Sequence, residues 1–191
     1  VNTTQKESLQ LKLEGLSANK KKWRDMEPAQ RSGYLDKMLL RLQTLDHKDW
    51  GKHSSMRQGY DPDNTHGDVI AAAEEMVNSA LMAGTIRALK RTYSSIVQYQ
   101  IPPQISSRPS IVGSQHIASV FPYDFADRMQ PYGLVGVKGE VWTTGGAPVQ
   151  RLTSQGKVSL VLGAGNQSFL AFGDVMHELF VKGNVTILKH H

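Results

Sequence analysis

The sequence predicts an α/β protein in which helices come first, a looped β region follows and a βαβ unit comes last. Three observations predict this order. Helical stripes of apolar residues dominate residues 1–110, and short β-branched pieces separated by Gly and Pro occupy residues 111–156. In residues 157–191, two apolar runs flank a further helical stripe. We take these three ranges as the segments of the protein.

Beyond a helix that is predicted to start at Ser17, the first segment contains three predicted helices. Residues 28–45 carry the clearest stripe, and Pro28 suits a first helical turn. A second helix is predicted from Asp46 or His47 through Trp50 and Met56, ending at Gly59, and a third over residues 68–92. The apolar face of the third helix is predicted to consist of Val69, Ile70, Ala73, Met76, Val77, Ala80 and Leu81.

Two stretches around these helices are less regular. Residues 1–16 fit either a strand or a loose helix, and Ser17 is predicted to cap the helix that follows. Residues 94–109 are rich in Pro, Ser and Gln and predict an extended linker. In the second segment, strands are predicted at residues 117–121, 134–137 and 140–143, and this region is expected to make oligomer contacts.

The last segment has the organisation strand, turn, helix, turn, strand. Residues 158–162 form an apolar run expected to be buried on both faces of a parallel sheet, residues 169–181 are a predicted helix, and residues 185–188 are a second strand. Gly163, Gly165 and Asn166 follow the first strand, and Lys189 ends the second. Ligands of such sheets bind at the carboxyl ends of the strands, so these residues are expected to face one crevice.

Composition excludes several classes of function. The chain has no cysteine, so it contains neither a disulfide nor a cysteine nucleophile. No apolar run approaches the ~20 residues of a membrane span, which favours a soluble, cytoplasmic protein. The net charge of +5 permits an anionic partner, but the Lys20–Lys21–Lys22 cluster lacks the aromatic interleaving of an RNA-binding sheet, so a nucleic-acid partner is disfavoured. No metal is assigned to the acidic turn at residues 60–68 or to His190 and His191.

Several positions resemble the amino-terminal part of the aldehyde dehydrogenase superfamily. They are Trp23 with Pro28 to Arg31, Gly156-Lys157-Val158 at the first strand, Asn166 in the turn, and Gly183-Asn184 followed by Val185 to Lys189. The resemblance implies an incomplete aldehyde dehydrogenase fold whose last segment starts a Rossmann-like, dinucleotide-binding sheet. A chain of 191 residues is too short to complete that sheet, so it is expected to be the front part of a longer enzyme.

The resemblance also implies a chemistry: oxidation of an aldehyde to an acid, with NAD or NADP as cofactor and a cysteine nucleophile outside residues 1–191. Asn166 is implied as the amide donor that stabilises the oxyanion; the alternative is an asparagine that only caps the next helix. Lys189 is implied to contact the adenosine ribose or its 2′-phosphate, with Gly163 and Gly165 beside the cofactor. A homo-oligomer is expected.

The sequence departs from the family at the turn and after the last strand. Ala164-Gly165 stands where the family usually has Pro-Trp, and His190 replaces a proline. Gly163-Ala164-Gly165 is also only half of a dinucleotide fingerprint, because Ser168 occupies the third glycine position. The alternative function is a non-catalytic scaffold or interaction subunit that retains the front of the fold.

Overall fold

The structure is a computed structural model that describes residues 3–111, 113, 115–129, 131–144, 156–165 and 168–190. Its α-helices are α1 Thr3–Arg24, α2 Pro28–Leu42, α3 His47–Arg57, α4 Thr65–Tyr99, α5 Phe125–Arg128, α6 Pro131–Leu134 and α7 Ser168–Met176. Its strands are β1 Ser106–Pro109, β2 Gln115–Phe121, β3 Gly139–Thr144, β4 Val158–Leu162 and β5 Val185–Lys189. The described chain is thus a mixed α/β protein, mostly helical, with two small sheets.

The chain divides into two compact units, residues 1–90 with 152–191, and residues 91–151. The first unit contains the parallel pair β4–β5. The second contains the antiparallel sheet with strand order β1-β2-β3.

The predicted helices α2 and α3 are confirmed. Pro28 opens α2, because its missing N–H is one that a first helical turn leaves unpaired anyway. Asp46 caps α3 by accepting a hydrogen bond of 2.9 Å from the backbone N–H of Asp49. Each helix therefore begins at the local signal that predicted it.

For residues 1–16 the sequence left strand and helix open, and the described part of this stretch, from Thr3 onward, belongs to α1. The cap predicted at Ser17 is wrong, because α1 runs through this residue without a break. Helix α1 is fixed at its carboxyl end, where the indole N–H of Trp23 donates a 3.0 Å hydrogen bond to the carbonyl of Leu179. A partner 156 residues away along the sequence thus anchors a helix whose own leucines are largely exposed.

The third predicted helix is confirmed as α4, but two details are corrected. It continues to Tyr99, so the predicted linker at residues 94–109 is wrong, and the end of that stretch is strand β1. The predicted apolar face is also wrong: Val69 and Met76 are 63% and 68% exposed, whereas Asn78 is 2% exposed. Asn78 is buried because the Glu74 carboxylate accepts a 3.1 Å hydrogen bond from its amide, which offsets the cost of removing it from water.

Helix α4 is the one helix in the described ranges that is long and apolar enough to cross a membrane, judged by length and composition. Only 22% of its most apolar window is buried. Core helices of soluble proteins meet the same criterion, and the structure is compatible with a soluble protein.

The antiparallel sheet confirms two of the three predicted strands. Strand β2 pairs with β3 over Gln115↔Thr144 to Phe121↔Gly139, with an irregularity between Ser119 and Phe121. The strand predicted at residues 134–137 is wrong, because Leu134 ends the short helix α6 and a turn with Gly136 at φ +76° follows. An isolated apolar run beside a left-handed glycine does not propagate a strand.

The βαβ unit is confirmed. Strands β4 and β5 pair in parallel from Val158↔Val185 to Leu162↔Lys189. The crossover consists of α7 and a π-helical turn, His177–Val181, and Gly183 then reverses the chain at φ +70°, where glycine is unstrained.

The expectation that β4 is buried on both faces is wrong in part. Val161 is 5% exposed, but Leu160 and Leu162, which project to the opposite side of the strand, are 63% and 64% exposed. Helices α1 and α7 each contact both β4 and β5. They cover one side of β4 and leave these leucines uncovered on the other.

Candidate functional site

The carboxyl ends of β4 and β5 lie side by side, as predicted from the sequence. Leu162 is paired with Lys189, and the backbone N–H of Gly163 donates a 2.8 Å hydrogen bond to the Lys189 carbonyl. The parallel ladder therefore extends one residue past the end of β4. Gly163 and Gly165 are half-buried, and the turn that contains them leaves the sheet beside Lys189.

The predicted oxyanion residue, Asn166, lies outside the described residues, and so does Gln167. The structure therefore does not distinguish between its two predicted roles. Helix α7 begins at Ser168, two residues after Asn166. The turn at the carboxyl end of β4 thus leads directly into the amino end of a helix of nine residues.

The side chain of Lys189 is exposed at this edge, and it forms no ion pair with any carboxylate in the described ranges. An exposed ammonium group and the positive end of a helix dipole both favour an anion. The described edge therefore fits a phosphorylated ligand electrostatically.

A polar cluster that is centred on the buried Asn184 closes the other end of the βαβ unit. We call it the Glu178 clasp, and it consists of Ser159, Glu178, Lys182 and Asn184. One carboxylate oxygen of Glu178 accepts hydrogen bonds of 2.7 Å from both the Ser159 hydroxyl and the Asn184 amide. The other accepts a 2.6 Å hydrogen bond from the Lys182 ammonium.

Asn184 also links the backbones of the two strands. Its side-chain oxygen accepts a 3.0 Å hydrogen bond from the backbone N–H of Lys157, just before β4. The backbone N–H of Asn184 donates a 2.9 Å hydrogen bond to the backbone carbonyl of Glu178. The residue is 5% exposed. The clasp thus holds the amino ends of β4 and β5 at a fixed separation and leaves their carboxyl ends open.

The donors around Glu178 determine its charge. The hydrogen bond from Lys182, followed by those from Asn184 and Ser159, lowers the pKa of the Glu178 carboxyl from 4.5 to about 2. Burial opposes this shift, but it is the weaker effect. Glu178 is therefore ionised at neutral pH, and both of its carboxylate oxygens accept hydrogen bonds. It stabilises the structure and does not act as a proton donor.

A second buried ion, Arg31, fixes α1 against α2. Arg31 is fully buried, and its guanidinium donates hydrogen bonds of 2.6 and 2.8 Å to the carbonyls of Trp23 and Arg24 at the end of α1. It also lies over the Trp23 ring, 5.1 Å from its centroid. The last turn of α1 is thus capped by a cation, which complements the negative end of its dipole.

The sequence reasoning missed both the clasp and the role of Arg31. Signals for the clasp were present: Ser159 is a polar residue inside an apolar strand, and Glu178 interrupts the apolar stripe of α7 and its π-helical turn. A polar residue at a predicted core position predicts a partner, and Asn184 was the nearest polar residue in the closing turn. Arg31 had no such signal, because charged residues are common on helices.

No group of three His, Cys, Asp or Glu side chains in the described ranges is placed to hold a metal ion. In the acidic turn, Asp61 instead accepts from the backbone N–H of Asp63 at 3.0 Å, and Asn64 accepts from that of Gly67 at 2.9 Å. Asn64 thus caps the start of α4, and Asp61 closes the turn just before it.

Comparison with models of protein families, with curated proteins and with solved structures finds no match to this chain. The site is therefore interpreted from its own residues.

Proposed function

We propose that the chain is the front part of an NAD(P)-dependent, aldehyde dehydrogenase-like oxidoreductase, and that β4, α7 and β5 are the first βαβ unit of its Rossmann-like sheet. One observation carries the proposal: two parallel strands end together at an edge formed by Gly163 and Lys189, and a helix begins close after the first of them. Dinucleotides bind at edges of this kind. The proposal includes a soluble, cytoplasmic enzyme.

In this proposal Lys189 binds the ribose of the adenosine, or its 2′-phosphate when the cofactor is NADP. Its exposed ammonium group has no competing carboxylate among the described residues. The amino end of α7 attracts the phosphates through its dipole. Gly163 and Gly165 allow the cofactor to approach the backbone, since they have no side chain to exclude it. The bound cofactor supplies the hydride acceptor for an aldehyde substrate.

The nucleophile of this reaction is not in the chain, which has no cysteine. The proposal therefore assigns a cysteine thiolate to polypeptide outside residues 1–191. Asn166 is proposed to donate its amide to the oxyanion that forms when the thiolate attacks the aldehyde. The intact mass of the polypeptide isolated from its source is the direct check: a mass near 21.2 kDa would contradict the proposal.

The cofactor edge is testable with the chain itself. We expect NADP⁺ and NAD⁺, titrated into ¹⁵N-labelled protein, to shift backbone amide resonances at Gly163, Gly165 and Lys189. Binding should be weak, because one βαβ unit supplies only part of a dinucleotide site. Lys189→Met should reduce the affinity for NADP⁺ about tenfold if a charge-assisted phosphate contact is lost, and the affinity for NAD⁺ less.

Lys157→Met is the matched control, since the side chain of this lysine is exposed at the amino end of β4, opposite the cofactor edge. It should leave cofactor affinity unchanged. Shifts spread over the surface, or equal losses in the two variants, would argue against a cofactor site at this edge.

A scaffold or assembly role is the second candidate, and the edge of the antiparallel sheet favours it. Strand β3 has no partner on its outer side among the described strands, and it exposes Val141 and Trp142 at 43% and 55%. Exposed apolar edge strands are templates for strand addition. We propose that β3 pairs between copies in a homo-oligomer, which is compatible with either function.

Light scattering after size-exclusion chromatography tests this assembly. Val141→Lys should shift the chain toward monomer, since a charge on an edge strand opposes pairing. Phe125→Lys is the control, because Phe125 is 76% exposed in the same unit but lies outside the sheet. A monomeric wild-type chain, or equal effects of the two substitutions, would refute an edge-to-edge oligomer.

A further inference from the structure

A groove lies on the first unit, formed by α1, α2 and the π-helical turn. Its volume is about 350 Å³. We call it the Trp23 groove, and it is lined by Trp23, Tyr34, Lys37, Met38, Arg41, Leu179 and Phe180. Neither the clasp nor the cofactor edge contributes a side chain to it.

The floor of the groove is apolar and rigid. The Trp23 ring meets Phe180 edge-on, with ring centroids 5.5 Å apart, and Tyr34 at 5.8 Å. The indole N–H already donates to the Leu179 carbonyl, so it does not compete for a ligand. The Arg31 guanidinium lies over the Trp23 ring and the Lys37 ammonium lies over the Tyr34 ring, so a ligand in the groove contacts the remaining aromatic surface and aliphatic carbon.

The rim of the groove is cationic. Lys37 and Arg41 lie one turn apart on α2, on the side of the helix that carries Tyr34 and Met38. Both are exposed, and neither forms an ion pair with a carboxylate in the described part of the chain. Like charges at this spacing repel each other. A bound anion would relieve this repulsion and gain two charge-assisted hydrogen-bonding partners.

We propose that the Trp23 groove binds a free carboxylate with an unbranched apolar chain, that is, a medium-chain fatty acid anion. Its head lies between the Arg41 guanidinium, which suits a carboxylate bidentately, and the Lys37 ammonium. Its chain covers Trp23 and Phe180. The volume, near the ~300 Å³ lower bound of ligand pockets, suits one short chain. A helical peptide needs anchor sites over two or more turns, which this groove does not provide.

Trp23 supplies the readout. In a chain carrying Trp50→Phe and Trp142→Phe, Trp23 is the only tryptophan, and decanoate below its micellar concentration should change its fluorescence saturably. Acetate, which lacks the chain, and decanol, which lacks the charge, should each bind at least tenfold more weakly. Decanoate that binds no better than decanol would overturn the assignment of the cationic rim.

The rim is tested by Lys37→Met combined with Arg41→Met in that background. Both side chains are exposed, so the fold should be retained, and circular dichroism and thermal unfolding verify this. Decanoate affinity should fall at least tenfold. The matched control, Lys12→Met with Lys48→Met, removes two exposed lysines of the same unit outside the groove and should have no effect. Equal losses in the two double variants would show nonspecific attraction to net charge and refute the site.

Vesicles separate a free ligand from a membrane surface. Anionic phosphatidylglycerol vesicles should not change Trp23 fluorescence. A response to vesicles without a response to monomeric decanoate would overturn the proposal in favour of membrane docking. The inference does not depend on the cofactor edge, since Lys189→Met should leave decanoate binding unchanged.

Discussion

The two sheets of this protein are held together in different ways. The parallel pair β4–β5 is closed by the Glu178 clasp, whose carboxylate is 15% exposed and accepts three hydrogen bonds. The antiparallel sheet has a cross-strand ion pair, Arg108 with Glu140, at 3.3 Å and with side chains 54% and 33% exposed. Water screens both sides of the second contact, whereas in the first the Lys182 side chain is 52% exposed and only the carboxylate is largely covered. The contribution of an ion pair to stability therefore depends on how far its side chains are buried.

The largest effect should come from Asn184→Ala. It leaves the buried Glu178 carboxylate without one donor and the Lys157 N–H without its acceptor, so the free energy of opening of β4 and β5 should fall by about 3 kcal/mol. Hydrogen exchange at the backbone amides of both strands measures this loss. If the amides of β4 and β5 exchange as slowly in this variant as in wild type, the clasp contributes no more to stability than a surface contact. That result would contradict the difference between the two sheets.

The clasp should also make the parallel pair acid-sensitive. The folded-state pKa of Glu178, about 2, lies below its ordinary value of 4.5. Its contribution to stability is therefore complete above pH 4.5 and is lost as pH falls toward 2.

Glu178→Gln removes this titration. The variant should be less stable than wild type at pH 7, and the difference between the two should shrink as pH falls from 4.5 to 2. Denaturant unfolding followed by Trp23 fluorescence at several pH values tests this. A constant difference across that range would exclude Glu178 as the titrating group.

The contacts of Asp127 in the second unit, like those of the clasp, should contribute more to stability than the exposed ion pair of the antiparallel sheet. The Asp127 side chain is 11% exposed, accepts a 2.8 Å hydrogen bond from the Tyr123 backbone N–H and lies 3.2 Å from the Arg91 guanidinium. Asp127→Ala should lower the stability of the second unit by about 2 kcal/mol, since it removes the acceptor of the part-buried Tyr123 N–H and one carboxylate partner of Arg91. If this loss of stability is smaller than that caused by Arg108→Ala, which removes the exposed ion pair, burial does not determine how much these contacts contribute to stability.

The smallest effect is expected from Arg108→Ala. An exposed ion pair contributes about 0.2 to 1 kcal/mol, so amide exchange in β1, β2 and β3 should change little. Raising the salt concentration should remove most of that contribution. A loss as large as that of Asn184→Ala would contradict the comparison between the two sheets.

Much of the candidate site was predictable from local signals. The positions of β4, α7 and β5 follow from apolar runs, a helical stripe and the Gly183 turn, and parallel pairing then places Gly163 beside Lys189. The roles of Asn166 and Lys189 in binding and catalysis stay predictions. Local signals marked Ser159 and Glu178 as polar residues in apolar stretches, but they did not identify the partners of Glu178, which are 19 residues before it and six after it.

The sequence by itself determined where most helices and strands begin, since caps, prolines and left-handed glycines act within a few residues. Only the tertiary structure decided which face of α4 is buried and that residues 3–16 are helical. Hydropathy selected Val69 and Met76 for the core of α4, yet the hydrogen bond between Asn78 and Glu74 permits a polar residue there instead. Burial is a property of what packs against a helix, and those neighbours come from distant parts of the chain.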